Sequence, residues 1–269
     1  MIVKDTTLED EIGRYWDERA TSYSNGVRGE LGDGRSDAWR RVLGRVSDAP
    51  LAKAAAAGRT PCALDLGCGP GFFSILFAQM GCQVDAVDAS AEMLSQARAN
   101  VKALGFAQGV TLHQGDVTTL PFDDDSFDIV ASRNLMWLMR DPLAAYAEWM
   151  RVLRPGGKLV VFDANWYRYL VDPELDAQRR RDQEGSEVKE WDEDTRATAD
   201  EERRCELIAQ KLPLTSVMRP AWDLAVLPQL GASQAQADED VWRELWTESE
   251  SKFYATSPLF LVEATKDSA

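Results

Sequence analysis

A doubly wound, mostly parallel α/β sheet is the fold this sequence predicts, and three observations carry it. Short apolar strands alternate with amphipathic helices from position 61 to 163. A glycine-rich turn stands where the first of those strands meets a helix. Apolar residues make up 45% of 269 positions, enough to fill one sizeable core.

Taken in order, Leu8, Ile12, Tyr15, Trp16 and Tyr23 recur at helical spacing behind Thr6 and Thr7, either of which suits an N-cap. An amphipathic helix is expected over 8–23, ended by Asn25-Gly26 and the glycines from Gly29 to Gly34. A second helix is expected from about Ser36 through Trp39, Val42, Leu43 and Val46 to Pro50, then a separate Ala-rich one over 51–57 closed by Gly58. Ala63-Leu64-Asp65-Leu66 reads as a buried strand, followed by the turn Gly67-Cys68-Gly69-Pro70-Gly71, a helix Phe72 to Met80 and a strand Gln83 to Val87. The alternation goes on with a helix Ser90 to Leu104, strands Val110 to Gln114 and Phe127 to Ala131, and a helix Pro142 to Leu153. Pro155-Gly156-Gly157 then turns the chain into a strand Lys158 to Asp163.

Residues 170–211 are charge-dense and poor in β-branched side chains, which predicts a solvated helical insertion. Trp222 to Leu230 suggests a helix closed by Gly231, and Asp240 to Trp246 with Pro258 to Thr265 suggest two terminal strands joined by a tight connection. The chain accordingly divides into an N-terminal helical segment 1–60, the α/β core 61–169, a helical cap 170–213, and a stretch 214–269 that completes the sheet. Nine tryptophans, with Trp191, Trp222, Trp242 and Trp246 in the last third, exceed what one pocket needs, so most are expected to pack structurally.

Lys+Arg 30 against Asp+Glu 45 leaves a formal net charge of −15, a field that repels phosphate backbones and anionic lipid. The run Arg179-Arg180-Arg181 is offset by Asp176, Asp182 and Glu184, so no nucleic-acid partner is expected. No stretch approaches the roughly 18 apolar residues of a membrane span, and Met1 to Asp5 lacks the apolar core of a secretory signal. No membrane partner is expected, and the cytoplasm is the expected compartment. Cys62, Cys68, Cys82 and Cys205 form no C-x-x-C pair, and His113 is the single histidine, so no metal site is expected and the thiols read as reduced and mostly buried. Asp123-Asp124-Asp125 reads as a solvated loop.

The turn 67–71 is a place where backbone N–H groups and a helix N-terminus face a ligand. A dinucleotide fingerprint G-x-G-x-x-G needs glycine at position 72, where this chain has Phe72, which weighs against a nicotinamide cofactor. Asp88, ending the second strand, is placed to accept from a ribose diol in either nucleotide class.

Leu64-Asp65-Leu66-Gly67-Cys68-Gly69-Pro70-Gly71 resembles the first motif of class I S-adenosylmethionine (SAM)-dependent methyltransferases. Val87-Asp88-Ala89-Ser90 with Met93-Leu94 is similar to the second motif. Gly115-Asp116-Val117 with Leu120-Pro121-Phe122 and Phe127-Asp128-Ile129-Val130 resembles the adenine-binding turn and fourth strand, and Leu153-Arg154-Pro155-Gly156-Gly157-Lys158-Leu159 the turn before the fifth. These segments keep the family's order over residues 61–163. The resemblance implies a Rossmann-like sheet of seven strands with an N-terminal helical lid, and SAM as cofactor with S-adenosylhomocysteine as product. By it, the Gly67-Cys68-Gly69 backbone approaches the methionine and ribose parts, Asp65 helps hold the amino group, and Asp88 with Ala89 takes the ribose. Met93 packs on adenine, Asp116 and Val117 meet the ring edge, and Arg133 and Asn134 lie near the carboxylate and the methyl group. Trp16-Asp17-Glu18-Arg19-Ala20 followed by Tyr23 resembles the lid helix of the subgroup acting on small molecules such as quinone and sterol precursors, so Tyr23, with Tyr15, closes over the site. Each role has a structural alternative: Asp116 as turn cap, Met93 as helix core, Asp65 as holder of backbone amides.

Methyl transfer from a sulfonium needs in-line placement and exclusion of water more than acid or base. No catalytic residue is therefore obligatory; Asp163 and Tyr167, with Tyr169, are candidates should the acceptor need deprotonation. Nucleic-acid amino methylation in this fold uses an Asn/Asp-Pro-Pro-aromatic segment after the fourth strand, and this chain has Arg133-Asn134-Leu135-Met136-Trp137 there. Tyr15, Trp137, Trp166 and Tyr167 are the candidate walls of a small-molecule pocket, with aromatic faces suited to a sulfonium. The reading is a small-molecule methyltransferase. A SAM-binding sensor without transfer and a NAD-dependent oxidoreductase are the alternatives, and the oligomeric state is not legible.

Overall fold

A computed structural model describes residues 7–186, 188 and 194–267; Thr6 and Trp191 lie outside the described residues. Thr7 caps the first helix, α1 (Leu8–Gly32), in a capping box with Asp10. The helix does not stop at Asn25-Gly26 as expected. Its buried face, Tyr15, Ala20, Ser24 and Val27, continues past those residues, and Glu30 pairs with Arg133 beyond them, so tertiary contacts outweigh the cost of about 1 kcal/mol per helical glycine. Likewise α2 (Arg35–Ala56) is one helix where two were expected. Trp39, Val42, Leu43, Val46 and Ala54 form one buried face on either side of Pro50, and their burial offsets the hydrogen bond that proline cannot donate.

The core follows the expected alternation: β1 (Cys62–Leu66), α3 (Phe72–Gln79), β2 (Gln83–Asp88), α4 (Ala91–Ala103), β3 (Val110–Gln114), β4 (Phe127–Arg133), α5 (Pro142–Val152) and β5 (Leu153–Asp163). After it come α6 (Pro173–Gln183), α7 (Ala199–Ala209), α8 (Ala221–Val226), β6 (Ala232–Asp238), α9 (Trp242–Leu245), α10 (Glu248–Phe253) and β7 (Phe260–Lys266). The seven strands make one sheet in the order β3-β2-β1-β4-β5-β7-β6. The first five are parallel, and β7 runs antiparallel to both β5 and β6. Order reverses between β1 and β4, so ligands belong at the carboxyl ends of the central strands. The expected strand Asp240–Trp246 is a correction: it holds α9, and the partner of β7 is the earlier stretch β6. The intervening helices replace the expected tight connection.

Two buried polar groups fix the geometry of the site. Asp65, in β1, is 2% exposed and accepts from Ser74 Oγ of α3 at 2.5 Å, tying the strand to the helix on either side of the glycine turn. Burial pushes its carboxyl up to about 7. Further along, Arg219 donates to both oxygens of Asp223 and to Asp163 at the end of β5, with all three residues buried. Tyr146 of α5 donates to Asp223 as well. Burial alone lowers the pKa of Arg219, and the Asp163 carboxylate, with Tyr146 and Asp223, outweighs it and keeps the guanidinium charged.

Replacing Arg219 by Met leaves two carboxylates buried without a cation, and is expected to cost about 3–5 kcal/mol in denaturant unfolding. A loss below about 1 kcal/mol would mean that the network is not paired. Between about pH 4 and 7 the native state keeps a proton on Asp65 that the unfolded chain, with an ordinary pKa of ~3.9, has released. The native state therefore binds more protons in that window, and stability falls as pH rises through it, by at most about 1.4 kcal/mol per unit. Asp65→Asn removes this contribution, so urea midpoints at pH 5 and pH 7.5 should lie closer together than in the parent. An unchanged gap would show Asp65 to be ionised throughout.

Candidate functional site

The carboxyl ends of β1, β2 and β3 form a cradle around the glycine turn. Gly67 and Gly69 both adopt the left-handed region, at φ 59° and 51°. At Gly67 a Cβ would lie 2.6 Å from Leu135 Cδ1, so no side chain fits there without displacing Leu135. At Gly69 the nearest atoms to such a Cβ are Tyr23 Cε1 at 3.8 Å and Met93 Sδ at 3.9 Å, which places the lid residue and the helix residue on either side of the turn. Asp88 accepts from Gly69 N at 2.8 Å and from Ser90 N at 2.9 Å, one bond per carboxylate oxygen, which leaves lone pairs for a diol. Burial raises its pKa. Ser90 Oγ donates to Asp17 of α1 at 2.6 Å, so the lid is anchored beside Asp88 and Ala89.

Cys68 is buried and donates its backbone N–H to Val87 O at 3.1 Å, consistent with a packed small side chain. Asp116 is exposed and accepts from Thr118 N and Oγ1 through one oxygen, so at least half of it caps a turn. Beside it Val117 is buried, its carbonyl fixed by Trp149 Nε1 at 2.9 Å. At the end of β4, Arg133 donates to both oxygens of Glu30, and Asn134 follows at φ 57° with its buried Oδ1 unpartnered.

Next to the cradle lies a cavity of about 650 Å³ between α1, the carboxyl ends of β4 and β5, and the cap helices. All four expected pocket residues, Tyr15, Trp137, Trp166 and Tyr167, line it, as do Tyr23, Arg133 and Asn134 of the expected cofactor set. The remaining cofactor candidates stay outside its lining and belong to the cradle. Trp137 and Tyr167 pack with their rings tilted by 46° at 4.7 Å between centroids, and Trp166 meets Tyr254 edge-on at 5.3 Å.

Both candidate bases are hydrogen-bonded within the protein. Asp163 accepts from Arg219, from the backbone N–H groups of Trp137 and Ala164, and from Trp166 Nε1, a set of donors that makes it an anchor for the cavity wall. Tyr167 shares a hydrogen bond of 3.0 Å with Cys205 Sγ, and burial pushes its hydroxyl well up. Tyr169 donates to Glu206 at 2.7 Å. His113 faces a neighbour: its Nε2 lies 2.7 Å from Asp85 Oδ1 across β2 and β3. Asp124 and Asp125 pair with Arg151 and Lys266. Among the described residues no group of His, Cys, Asp and Glu stands together as a metal site, and no helix is long and apolar enough to cross a membrane.

Sequence reasoning missed Glu30, Arg219, Cys205 and the wall made by Trp246, Phe253 and Tyr254. The last had a signal: Trp242, Trp246, Phe253 and Tyr254 crowd aromatics into a stretch whose Thr247 and Glu250 spell a capping box, which marks a helix. Glu30 and Arg219 had none, since a charged residue reads as solvated until its partner is known.

Residues 64–161 match the family model described as a methyltransferase domain. Over 155 residues the chain is 34% identical to the demethylmenaquinone methyltransferase of Renibacterium salmoninarum, covering 56% of this chain and 58% of that one. It is 41% identical over 97 residues to the malonyl-[acyl-carrier protein] O-methyltransferase of Erwinia billingiae, covering 36% of each. The chain thus spans little more than half the length of the one relative and about a third of the other. Among solved structures, phosphoethanolamine N-methyltransferase 2 of Haemonchus contortus, in complex with SAM, superposes with a TM-score of 0.52 at 17% identity over 77% of this chain and 49% of that one. A candidate sarcosine dimethylglycine methyltransferase of Galdieria sulphuraria gives 0.54 at 15% identity over 84% and 85%. These likenesses bear on the fold, and the family match on residues 64–161. The segment 64–161 is thus a methyltransferase domain by its match to that family model.

Proposed function

We propose that the chain transfers a methyl group from SAM to a small-molecule acceptor held in the 650 Å³ cavity. The observation that carries this reading is adjacency. Tyr23 and Asn134 line the cavity, and Tyr23 also reaches to 3.8 Å from the Cβ position of Gly69, so chamber and cradle meet at the turn. A sulfonium donor, when bound, supplies the electrophilic methyl group. What the protein supplies is placement: the left-handed turn at Gly69 beside Tyr23 and Met93, the remaining lone pairs of Asp88 and the unpartnered Asn134 Oδ1 suit a nucleoside carrying an amino-acid chain.

Acceptor handling falls to the aromatic wall. Trp137 and Trp166 are each held through Asp163, which fixes the width of the chamber, and α1 with α7 closes it against water. With Asp163 and Tyr167 engaged, the arrangement suits an acceptor that is nucleophilic as bound. Relatives named for demethylmenaquinone and for malonyl-[acyl-carrier protein] differ in acceptor, so the chemistry of this one is carried by the chamber and not by the family.

Calorimetric titration with S-adenosylhomocysteine, beside NAD, tests the donor: micromolar binding of the former alone is expected, and binding of NAD instead would overturn the assignment. Formation of S-adenosylhomocysteine only when an acceptor is added separates an enzyme from a sensor. Asp88→Ala is expected to weaken S-adenosylhomocysteine binding by about 1–3 kcal/mol, and an unchanged affinity in a folded variant would take Asp88 out of the site.

A further inference from the structure

The last two turns of α1 are an unstable piece of helix. Gly26, Gly29 and Gly32 fall there, no cation occupies the last turn, and Glu30 sits where the negative end of the helix dipole disfavours a carboxylate. Arg133 compensates. Its Nη1 and Nη2 donate to both oxygens of Glu30 at 3.0 Å, the two-pronged geometry in which a guanidinium holds a carboxylate.

That guanidinium is preorganised. It lies in the corner formed by the rings of Trp39, at 4.3 Å, and Phe72, at 4.5 Å, which meet edge-on, and Phe72 is the first residue of α3, directly after the glycine turn. Arg133 and Glu30 both line the cavity, and Arg133 Nε and Asn134 Oδ1 are buried without a partner. A rigid carboxylate receptor therefore lies beside the turn, and its occupant belongs to the lid.

We propose that Glu30 is an internal stand-in for the carboxylate of the donor's amino-acid part. The cofactor takes Glu30's place on Arg133, and Glu30 with the glycine-rich end of α1 is released to solvent. One carboxylate replaces another and no covalent bond changes, so the charge beside Arg133 is conserved. The inference rests on the donor reading above and deepens it: occupancy of the donor site and the hold on the lid compete for one side chain. Apparent donor affinity is then reduced by the fraction of molecules in which Glu30 holds Arg133.

The test is calorimetric titration of the full chain and its Glu30→Gln variant with S-adenosylhomocysteine and with 5′-methylthioadenosine, which keeps the nucleoside and thioether and lacks the carboxylate. Removing the competing charge is expected to tighten S-adenosylhomocysteine about tenfold while 5′-methylthioadenosine stays within about twofold. In an Arg133→Met background the same substitution should change neither affinity. Unchanged or weaker S-adenosylhomocysteine binding in Glu30→Gln overturns the exchange. Equal tightening of both ligands overturns it too, since that reports a loosened lid without competition. If neither ligand binds the parent chain, the donor reading fails and the exchange with it.

Discussion

A carboxylate buried at the end of a central strand must be satisfied, and most of the site's geometry follows from how Asp163 achieves this. It gathers a guanidinium from Arg219, two backbone N–H groups and an indole N–H, drawn from the segment after β4, the segment after β5 and the chain beyond the cap. Asn165 adds a second clamp, donating to Arg219 O at 2.8 Å and accepting from Arg219 N at 3.2 Å. Trp137 and Trp166 cannot shift without exposing a polar group of this hub to an apolar interior. The cavity's floor is thus set by electrostatic necessity as much as by packing.

The parallel half of the fold was legible because strands covered on both faces read as apolar runs, and Leu64, Val84, Ile129 and Val160 are each fully buried. Its turns were legible because Gly67 and Gly69 occupy backbone conformations that side chains disfavour. Elements whose reason to exist lies elsewhere in the chain were opaque. The edge strand β6, Ala-Ser-Gln-Ala-Gln-Ala-Asp, has no β-branched residue and is a strand because β7 offers its backbone a partner. The far end of α1 is helical because of Arg133, about a hundred positions away, and α2 survives Pro50 because its apolar face is buried on both sides of it.

The same division runs through the site. Cradle residues lie on motifs whose spacing is local, so Asp88 and Met93 stand where the resemblance put them, at the end of β2 and the start of α4. Asp163 and Tyr167 lie at the sheet's carboxyl edge, and both are engaged by groups the sequence did not bring to mind. Position follows from strand ends, whereas availability depends on Arg219 and Cys205, which arrive from distant segments. A candidate base can be located from sequence; whether its lone pairs are free is a property of the whole fold.

Roof and floor of the chamber are held by different physics. The cap meets the lid through Arg204 with Glu18 and Lys211 with Glu11, pairs of largely exposed side chains that contribute at most about 1 kcal/mol each and weaken with salt. α1 and α7 are also joined by a less exposed pair, Arg19 with Glu201 at 3.6 Å, a longer contact than those of the buried hub. Beneath, Arg219 and its two carboxylates lie at 1% and 0% side-chain exposure, where breaking a pair strands a charge in the core. A ligand that enters from the lid side therefore works against weak, screened contacts, while the wall that positions it stays fixed. In that arrangement the Arg133–Glu30 pair stands apart: it is the strong contact within the roof, and so the place where a ligand's charge has leverage over the lid.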